Sequence, residues 1–470
     1  MKILGLVCVS LLCSAVALGG EEQADLAQEN AHLKERVDRL EQELAVLKQL
    51  VLSQGRDASP PAETEITAPP AKEEPAVLPG VRFTDEELDR LAAAVDKRER
   101  KPAGLLPGFE FIPYGFIKLD ASYDSSAVNT GNFATWVLPD RPGSNDEFNM
   151  TAKSTRLGLR INSLQGGDIL ATGLVEVDFF GGDTGENRPG VLVRHAYAKL
   201  DWPEERFSIL AGQYWDVISP LNPNVLNYTV QWYAGNIGYR RPQVRATKIY
   251  GLSNSVDLKL EAAVTRNIGG VPTNIASDTG ANSGLPAFQG RVSSTFPLLG
   301  ARPTTVGVSG HWGKEELSAA GGSRKFDSWS LNLDISQPIN KWLTVEGELF
   351  SGENLSPYFG GIGQGVNLAR GREIGSRGGW VAARMTPWEK WAFNAGVSLE
   401  DVRNRDLIGM AEPGGGQGIR QYNRAIFGNV IYSINKNTDI GFELSHWHTE
   451  YQGRPDADSI RAQTSLIYKF

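Results

Sequence analysis

From about residue 111 onward the chain breaks into sixteen runs with strand character, and the connections between them alternate in length. The runs fall at approximately 113–123, 152–162, 169–180, 191–200, 207–213, 241–250, 256–266, 288–296, 304–312, 326–335, 342–350, 378–386, 391–401, 421–433, 438–450 and 461–470. After each even run the connection is short: "SLQGGD", "DWPEER", "GLSNS", "PLLGARP", "SQPINK", "PWEK", "INKN". After odd runs it is usually much longer, as at 124–151, 214–240, 267–287, 351–377 and 402–420. An up-and-down barrel in a membrane produces this rhythm, with short periplasmic turns and long external loops. A soluble β-sandwich has no reason to keep it through sixteen strands. The even count returns both ends of the barrel to the same, periplasmic side.

The strand faces agree. In "SVDLKLEAAVTRN", Val256, Leu258, Leu260, Ala262 and Val264 share the face predicted to meet lipid, while Asp257, Lys259, Glu261 and Thr265 share the lumen face. In "WAFNAGVSLED", Trp391, Phe393, Ala395, Val397 and Leu399 point out, and Asn394, Ser398 and Glu400 point in. The closing run "RAQTSLIYKF" puts Ala462, Thr464, Leu466, Tyr468 and Phe470 on one face. Phe470 after this strand resembles the terminal aromatic by which outer-membrane barrels are recognised by the assembly machinery. Charges of both signs in a lumen require water, because burying them without it is costly. The predicted fold is therefore all-β: a 16-stranded antiparallel transmembrane β-barrel wide enough for an aqueous channel.

Composition excludes several function classes. No later stretch approaches 18 consecutive apolar residues, so transmembrane helices are not expected. The net charge of −8 argues against nucleic acid as a partner. The first 20 residues read as a signal peptide: Lys2, an apolar core "ILGLVCVSLLC", and small residues for cleavage. Both cysteines, Cys8 and Cys13, lie within it, and Leu12 is not the small residue a lipoprotein signal would place before Cys13. The exported chain is expected to have no cysteine, hence no disulfide, thiol chemistry or cysteine metal site.

Residues 21–54 carry four heptads. Leu26, Leu33, Leu40 and Leu47 occupy d; Asn30, Val37, Leu44 and Val51 occupy a. Glu29 would face Lys34, Arg36 would face Glu41, and Glu43 would face Lys48 across a parallel seam. This predicts a parallel, self-associating coiled coil in the periplasm, and the heptads leave dimer and trimer open. Residues 55–82 form a stiff Pro-rich linker. Residues 83–110 hold a short helix, with Thr84 as N-cap, Glu87 closing a capping box and Phe83 positioned to staple onto Leu88, followed by a connector into the barrel at 111–470.

The chain resembles the DcaP-like trimeric outer-membrane porins. The resemblance is carried by "YGFIKLDASYD" (114–124), "STRLGLRI" (154–161), "EVDFFGG" (176–182), "RHAYAKLDW" (194–202), "AGQYWDV" (211–217), "RRPQVRAT" (240–247) and "SLIYKF". A coiled coil followed by a linker is similar to that family too; the loops and linker sequence are not. The resemblance implies a homotrimer, passive diffusion of small solutes, and preference for anions such as dicarboxylates.

For a pore the informative residues are lumen charges. The basic set is Lys118, Arg156, Arg160, Arg194, Arg240, Arg241, Arg245 and Arg291; the acidic set is Asp120, Glu176, Asp178, Glu261, Glu346 and Glu348. Opposed rows would set ion selectivity, or would pair and stiffen the wall. Anion selectivity is expected to rest mainly on Arg156, Arg160, Arg241 and Arg245. The third long loop, "YWDVISPLNPNVLNYTVQWYAGNIGYRR", is apolar and aromatic for an exposed loop, so it either folds inward as a constriction or packs at a subunit contact. A rival reading is a barrel lipase or protease, which needs a Ser/His or Asp/His pair. His195 is expected at an interfacial girdle, and His446 and His448 on the lipid face, without a third metal ligand. No catalytic residue, metal or cofactor is called for. A third reading is an envelope tether acting through the coiled coil. Peptidoglycan contact has no support in the residues.

Overall fold

The barrel strands form because apolar and polar residues alternate over runs long enough to cross a bilayer. The computed structural model describes residues 108–470, apart from 141–142, 144, 165–166, 183–185, 187, 270–279, 300–301 and 320–321. The signal peptide, the coiled-coil seam, the linker and the 83–100 helix lie outside the described residues.

The strands are β1 (Phe109–Asp124), β2 (Glu147–Thr151 and Arg156–Ser163), β3 (Leu170–Gly181), β4 (Gly190–Trp202), β5 (Phe207–Trp215), β6 (Arg240–Ser253), β7 (Val256–Thr265), β8 (Ala287–Phe296), β9 (Thr304–Ala319), β10 (Gly322–Pro338), β11 (Leu343–Glu353), β12 (Gly375–Trp388), β13 (Trp391–Val402), β14 (Arg420–Asn435), β15 (Thr438–Tyr451) and β16 (Ala457–Lys469). The single sheet contains 17 strand segments. Two of them pair with successive stretches of β1 and are the halves of β2, so the barrel has sixteen antiparallel strands. Each strand pairs with the next, and β1 closes on β16 from Phe116↔Lys469 to Asp124↔Arg461.

Three local departures from the sequence reading have identifiable causes. The first strand starts at Phe109, inside the segment expected to be a connector, because Phe109–Phe116 pairs with β2. In β2 the ladder breaks at 152–155, where Ser154 donates to Asp120 at 2.8 Å and Thr155 N–H turns back to Ala152 O. Strands β9 and β10 run on to the pair Ala319↔Gly322, well past the expected ends at 312 and 326. That connection is consequently short, like 452–456 between β15 and β16 and unlike L1 (125–146), L2 (182–189), L3 (216–239), L4 (266–286), L6 (354–374) and L7 (403–419) on the same side.

The outer surface is apolar and ringed by aromatics. Ile117, Leu119, Val244, Val292, Leu331, Leu349, Leu444 and Leu466 are exposed there. Trp342, Trp388, Trp391, Tyr468 and Phe470 mark the short-turn rim; Tyr123, Phe148, Phe288, Trp312 and Trp329 mark the other. On β10 the strand from Trp329 to Pro338 covers about 30 Å at ~3.4 Å per residue, or ~23 Å along the axis for a tilt of about 40°. That matches the apolar band of a membrane barrel flanked by aromatic girdles. The transmembrane β-barrel expected from the sequence is the observed fold.

Candidate pore and the loops that enter it

Every residue of the two expected charge sets sits on the inner side of the wall or at the base of L3, and most are paired there. The Arg194 guanidinium donates to Glu176 at 2.8 Å and to Asp178 at 2.7 Å. Arg156 lies 3.4 Å from Glu176. Arg291 reaches Asp334 at 2.6 Å and Glu261 at 3.1 Å. Arg245 is 3.7 Å from Glu261, Lys118 is 3.1 Å from Asp120, and Arg241 is 2.7 Å from Asp216. Glu346 accepts from Ser336 at 2.8 Å. The rows therefore interlock as ion pairs rather than facing each other unpaired.

A bulge corrects the placement of His195. The β3–β4 register shifts between Glu176 and Val177, so that His195 pairs with Glu176 and Val193 with Val177. Both Arg194 and His195 then turn inward and are buried. His195 packs against Tyr214 and Trp215 inside the barrel instead of joining a girdle. His446 and His448 do face outward, where His448 hydrogen-bonds Asp458 at 2.9 Å and His446 Nε2 lies 3.1 Å from the same carboxylate. Among the described residues no group of three or more His, Cys, Asp or Glu is arranged to hold a metal.

L3 folds inward, which settles the choice left open by its composition. Its backbone is bonded around the wall. Val217 N–H donates to Gln289 on β8, Leu221 N–H to Glu348 on β11, and Leu226 N–H to Glu443 on β15, at 2.7–2.8 Å. The Leu226 carbonyl accepts from Lys118 on β1 and Gln463 on β16. Asn224 O accepts from Asn429 on β14, and Tyr228 donates to Asp178 on β3. L3 thus spans the lumen.

L6 lies against it. Tyr233 N–H and Gly238 N–H donate to Phe359 O and Tyr358 O, and the rings of Trp232 and Phe359 stack at 4.2 Å. Trp136 of L1, Val225 and Val230 of L3, Ile362 and Ile374 of L6 and Leu407 of L7 join them in one apolar core. Trp380, Ala382, Val402 and Phe427 from the wall complete it. At mid-height, buried lumen-facing side chains occur on all sixteen strands, from Lys118 on β1 through Glu348 on β11 to Gln463 on β16. Toward the short-turn side the lumen opens: Arg156 is 18% exposed, Lys259 25%, and Lys199 and Asp201 28% each.

A search for charges missed the inward apolar residues, and it named Arg240 without showing its surroundings. Inward apolar residues such as Phe350, Trp380 and Phe427 supply the wall side of the loop core; their period-two position among polar neighbours was the available signal. Arg240, 2% exposed, has no hydrogen-bond partner on any of its three nitrogens and lies 5.0 Å from the ring centroids of both Trp215 and Tyr239. A Ser–His contact does exist: His311 touches Ser330 at 2.7 Å and Ser328 at 3.0 Å. Both ring nitrogens are occupied by hydroxyls, and the imidazole lies under Tyr358 at 3.9 Å. That leaves no ring nitrogen for an orienting carboxylate, which a nucleophile–base pair requires.

No family model matches the chain, and neither does any curated protein. Among solved structures, the outer membrane channel DcaP of Acinetobacter baumannii aligns with 79% of this chain and 100% of its own, at 17% identity and a TM-score of 0.62. An anion-selective porin from Comamonas acidovorans aligns with 77% of this chain and 100% of its own, at 13% identity and a TM-score of 0.51. The chain shares the barrel fold of these outer-membrane channels.

Proposed function

We propose that the protein is an outer-membrane porin, not an enzyme, that passes small hydrophilic solutes by diffusion and favours small anions, dicarboxylates among them. The observation that carries this reading is a closed barrel with an apolar outside, a charged inside and a loop folded across the lumen. The anion preference is supported by Arg240, a buried guanidinium without a hydrogen-bonding acceptor, and by the partly exposed Arg156 in the vestibule. The similarity to an anion-selective porin points the same way. Arginine suits carboxylates because its planar fork offers two parallel donors. Net charge of the whole chain does not decide selectivity, since charges beyond about 8–10 Å from a permeating ion are screened.

The test is the reversal potential across a salt gradient in a planar bilayer. Wild type should be anion-selective, and Arg240→Ala, Arg156→Ala and Arg245→Ala should each move the potential toward the cation side. Arg241→Ala should instead lower the yield of folded barrel, because it strands the buried Asp216. Cation selectivity in the wild type would overturn the reading.

The trimer is part of the same proposal, with residues 21–54 acting in the periplasm through Leu26, Asn30, Leu33, Val37, Leu40, Leu44, Leu47 and Val51. A peptide of these residues should be helical and oligomeric by circular dichroism and sedimentation. Removing it should leave the barrel folded, because the Pro-rich linker decouples the two mechanically. An unfolded, monomeric peptide would remove the coiled coil from the account.

A further inference from the structure

We infer that L3 and L6 form a latched plug, so that this barrel is a gated channel rather than a permanently open one; the inference rests on the porin reading and adds its regulation. Three observations carry it.

The first is closure. A standing aqueous eyelet would leave lumen-facing side chains exposed at its narrowest level. Here they are buried at mid-height around the wall, and the space between holds an apolar core drawn from L1, L3, L6 and L7.

The second is how the plug is held. Three glutamates, on three different strands, point from the wall and accept loop backbone N–H groups. Glu348 takes Leu221 N–H at 2.8 Å, Glu443 takes Leu226 N–H at 2.7 Å and Asn227 N–H at 3.3 Å, and Glu400 takes Gly361 N–H. In Glu443 and Glu348 both side-chain oxygens accept from N–H donors, the second oxygen of Glu348 from the Trp380 indole, so an amide in either place sets a donor against a donor. The latches are discrete side-chain contacts, unlike the continuous ladders of the wall, so the loops can leave while the barrel stays closed.

The third is strain concentrated in the plug, which holds seven of the nine non-glycine residues with positive φ among the described residues. Val230, Gln231 and Tyr233 in L3, and Phe359 and Ile362 in L6, all have φ between 46° and 68°. That region is unfavourable for non-glycine residues, and most of all for β-branched Val230 and Ile362. Strain of this kind persists only where surrounding contacts over-determine it, and it recurs in switch segments. Here those contacts are the glutamate latches and the L3–L6 hydrogen bonds, so weakening a latch releases strain as well as a bond.

The experiment is single-channel recording of the full-length protein in planar bilayers. Wild type should show a closed baseline with brief openings. Glu443→Gln and Glu348→Gln should raise the open fraction severalfold. A tether supplies the converse. A side chain built on Gly441 of β15 would have its Cβ 2.9 Å from a Leu226 methyl carbon, so Leu226→Cys/Gly441→Cys can link L3 to the wall, and the only native cysteines fall in the expected signal peptide. Oxidised, this variant should be silent; after reduction it should open as wild type does. Steady full conductance in the wild type, unchanged by either glutamine variant or by the oxidised tether, would overturn the gate and leave the porin reading intact. Absence of current from wild type, both glutamine variants and the reduced tether, all folded as judged by heat modifiability, would overturn the porin reading itself.

Discussion

Replacing Arg194 by methionine should destabilise the barrel by about 3–5 kcal/mol, the range found when one member of a buried ion pair is removed. Arg194 and its two carboxylate partners are almost fully shielded, with side-chain exposures of 6%, 2% and 0% for Arg194, Glu176 and Asp178. Its Nε and one terminal nitrogen serve the two acids separately, so a methionine of similar length would strand both. What remains is partial: Tyr114 donates to Glu176 at 3.0 Å, Tyr228 donates to Asp178 at 2.8 Å, and Arg156 stands 3.4 Å from Glu176. The triple variant Arg194→Met/Glu176→Gln/Asp178→Asn removes the charge stranded on both acids and should regain part of the loss, the rest being the cost of leaving Arg156 without Glu176. The measurement is denaturant unfolding of the detergent-solubilised barrel for wild type, single and triple variants. A single variant within about 1 kcal/mol of wild type would mean that the cluster is reached by water and behaves as a surface pair. Because Tyr228 belongs to L3, the same variant should also loosen the plug and increase current.

The barrel was legible because its information is local. Period-two alternation gives the faces, and connection length gives the two ends; neither depends on contacts between distant residues. Leu466, Tyr468 and Phe470 outside, with Arg461, Gln463 and Ser465 inside, follow from ten residues read alone. The bulge at Arg194 was not legible, because one extra residue in a ladder changes the phase without changing the composition. The overlong β9–β10 pair was hidden for a related reason: Lys314, Glu316, Arg324 and Lys325 read as loop when they are strand above the girdle. Charge pairing inside the wall was half visible. Residue type placed Arg291 in the lumen, but only the closed sheet brings Asp334, 43 positions later, to 2.6 Å. The plug was the least legible part. Its core joins Trp136, Trp232, Phe359 and Leu407 across four loops, and nothing local to any one loop names the others. The apolar character of L3 showed that it must be buried, and its partners are a property of the fold.

Phe470 carries the other large expected effect. We propose that it acts in recognition during barrel assembly as well as in the girdle, so that Phe470→Asp or its deletion should reduce the heat-modifiable oligomer in the outer membrane to a small fraction of wild type. Its backbone completes the closing ladder: Phe470 N–H donates to Gly115 O, and Gly115 N–H donates to Phe470 O, both at 3.1 Å. Gly115 allows that approach. It has φ 154°, and a Cβ there would sit 2.3 Å from Arg156 O, so β1 can run between β2 and β16 at this point only without a side chain. A purely thermodynamic role for the Phe470 ring predicts little loss, because a charge on the lipid face near the interface costs only about 0–1 kcal/mol, against ~2–4 at the midplane. Trp388→Asp supplies the comparison. Trp388 is 63% exposed on the same short-turn girdle, beside the turn into β13, and takes no part in closure. If the ring at 470 is read during assembly, Phe470→Asp should deplete assembled barrel severely while Trp388→Asp leaves it near wild type. Equal, modest losses from the two would reduce Phe470 to one girdle aromatic among several. Gly115→Val separates the remaining possibility: it should block closure with Phe470 intact, accumulating unassembled chain in the periplasm rather than a barrel of altered selectivity.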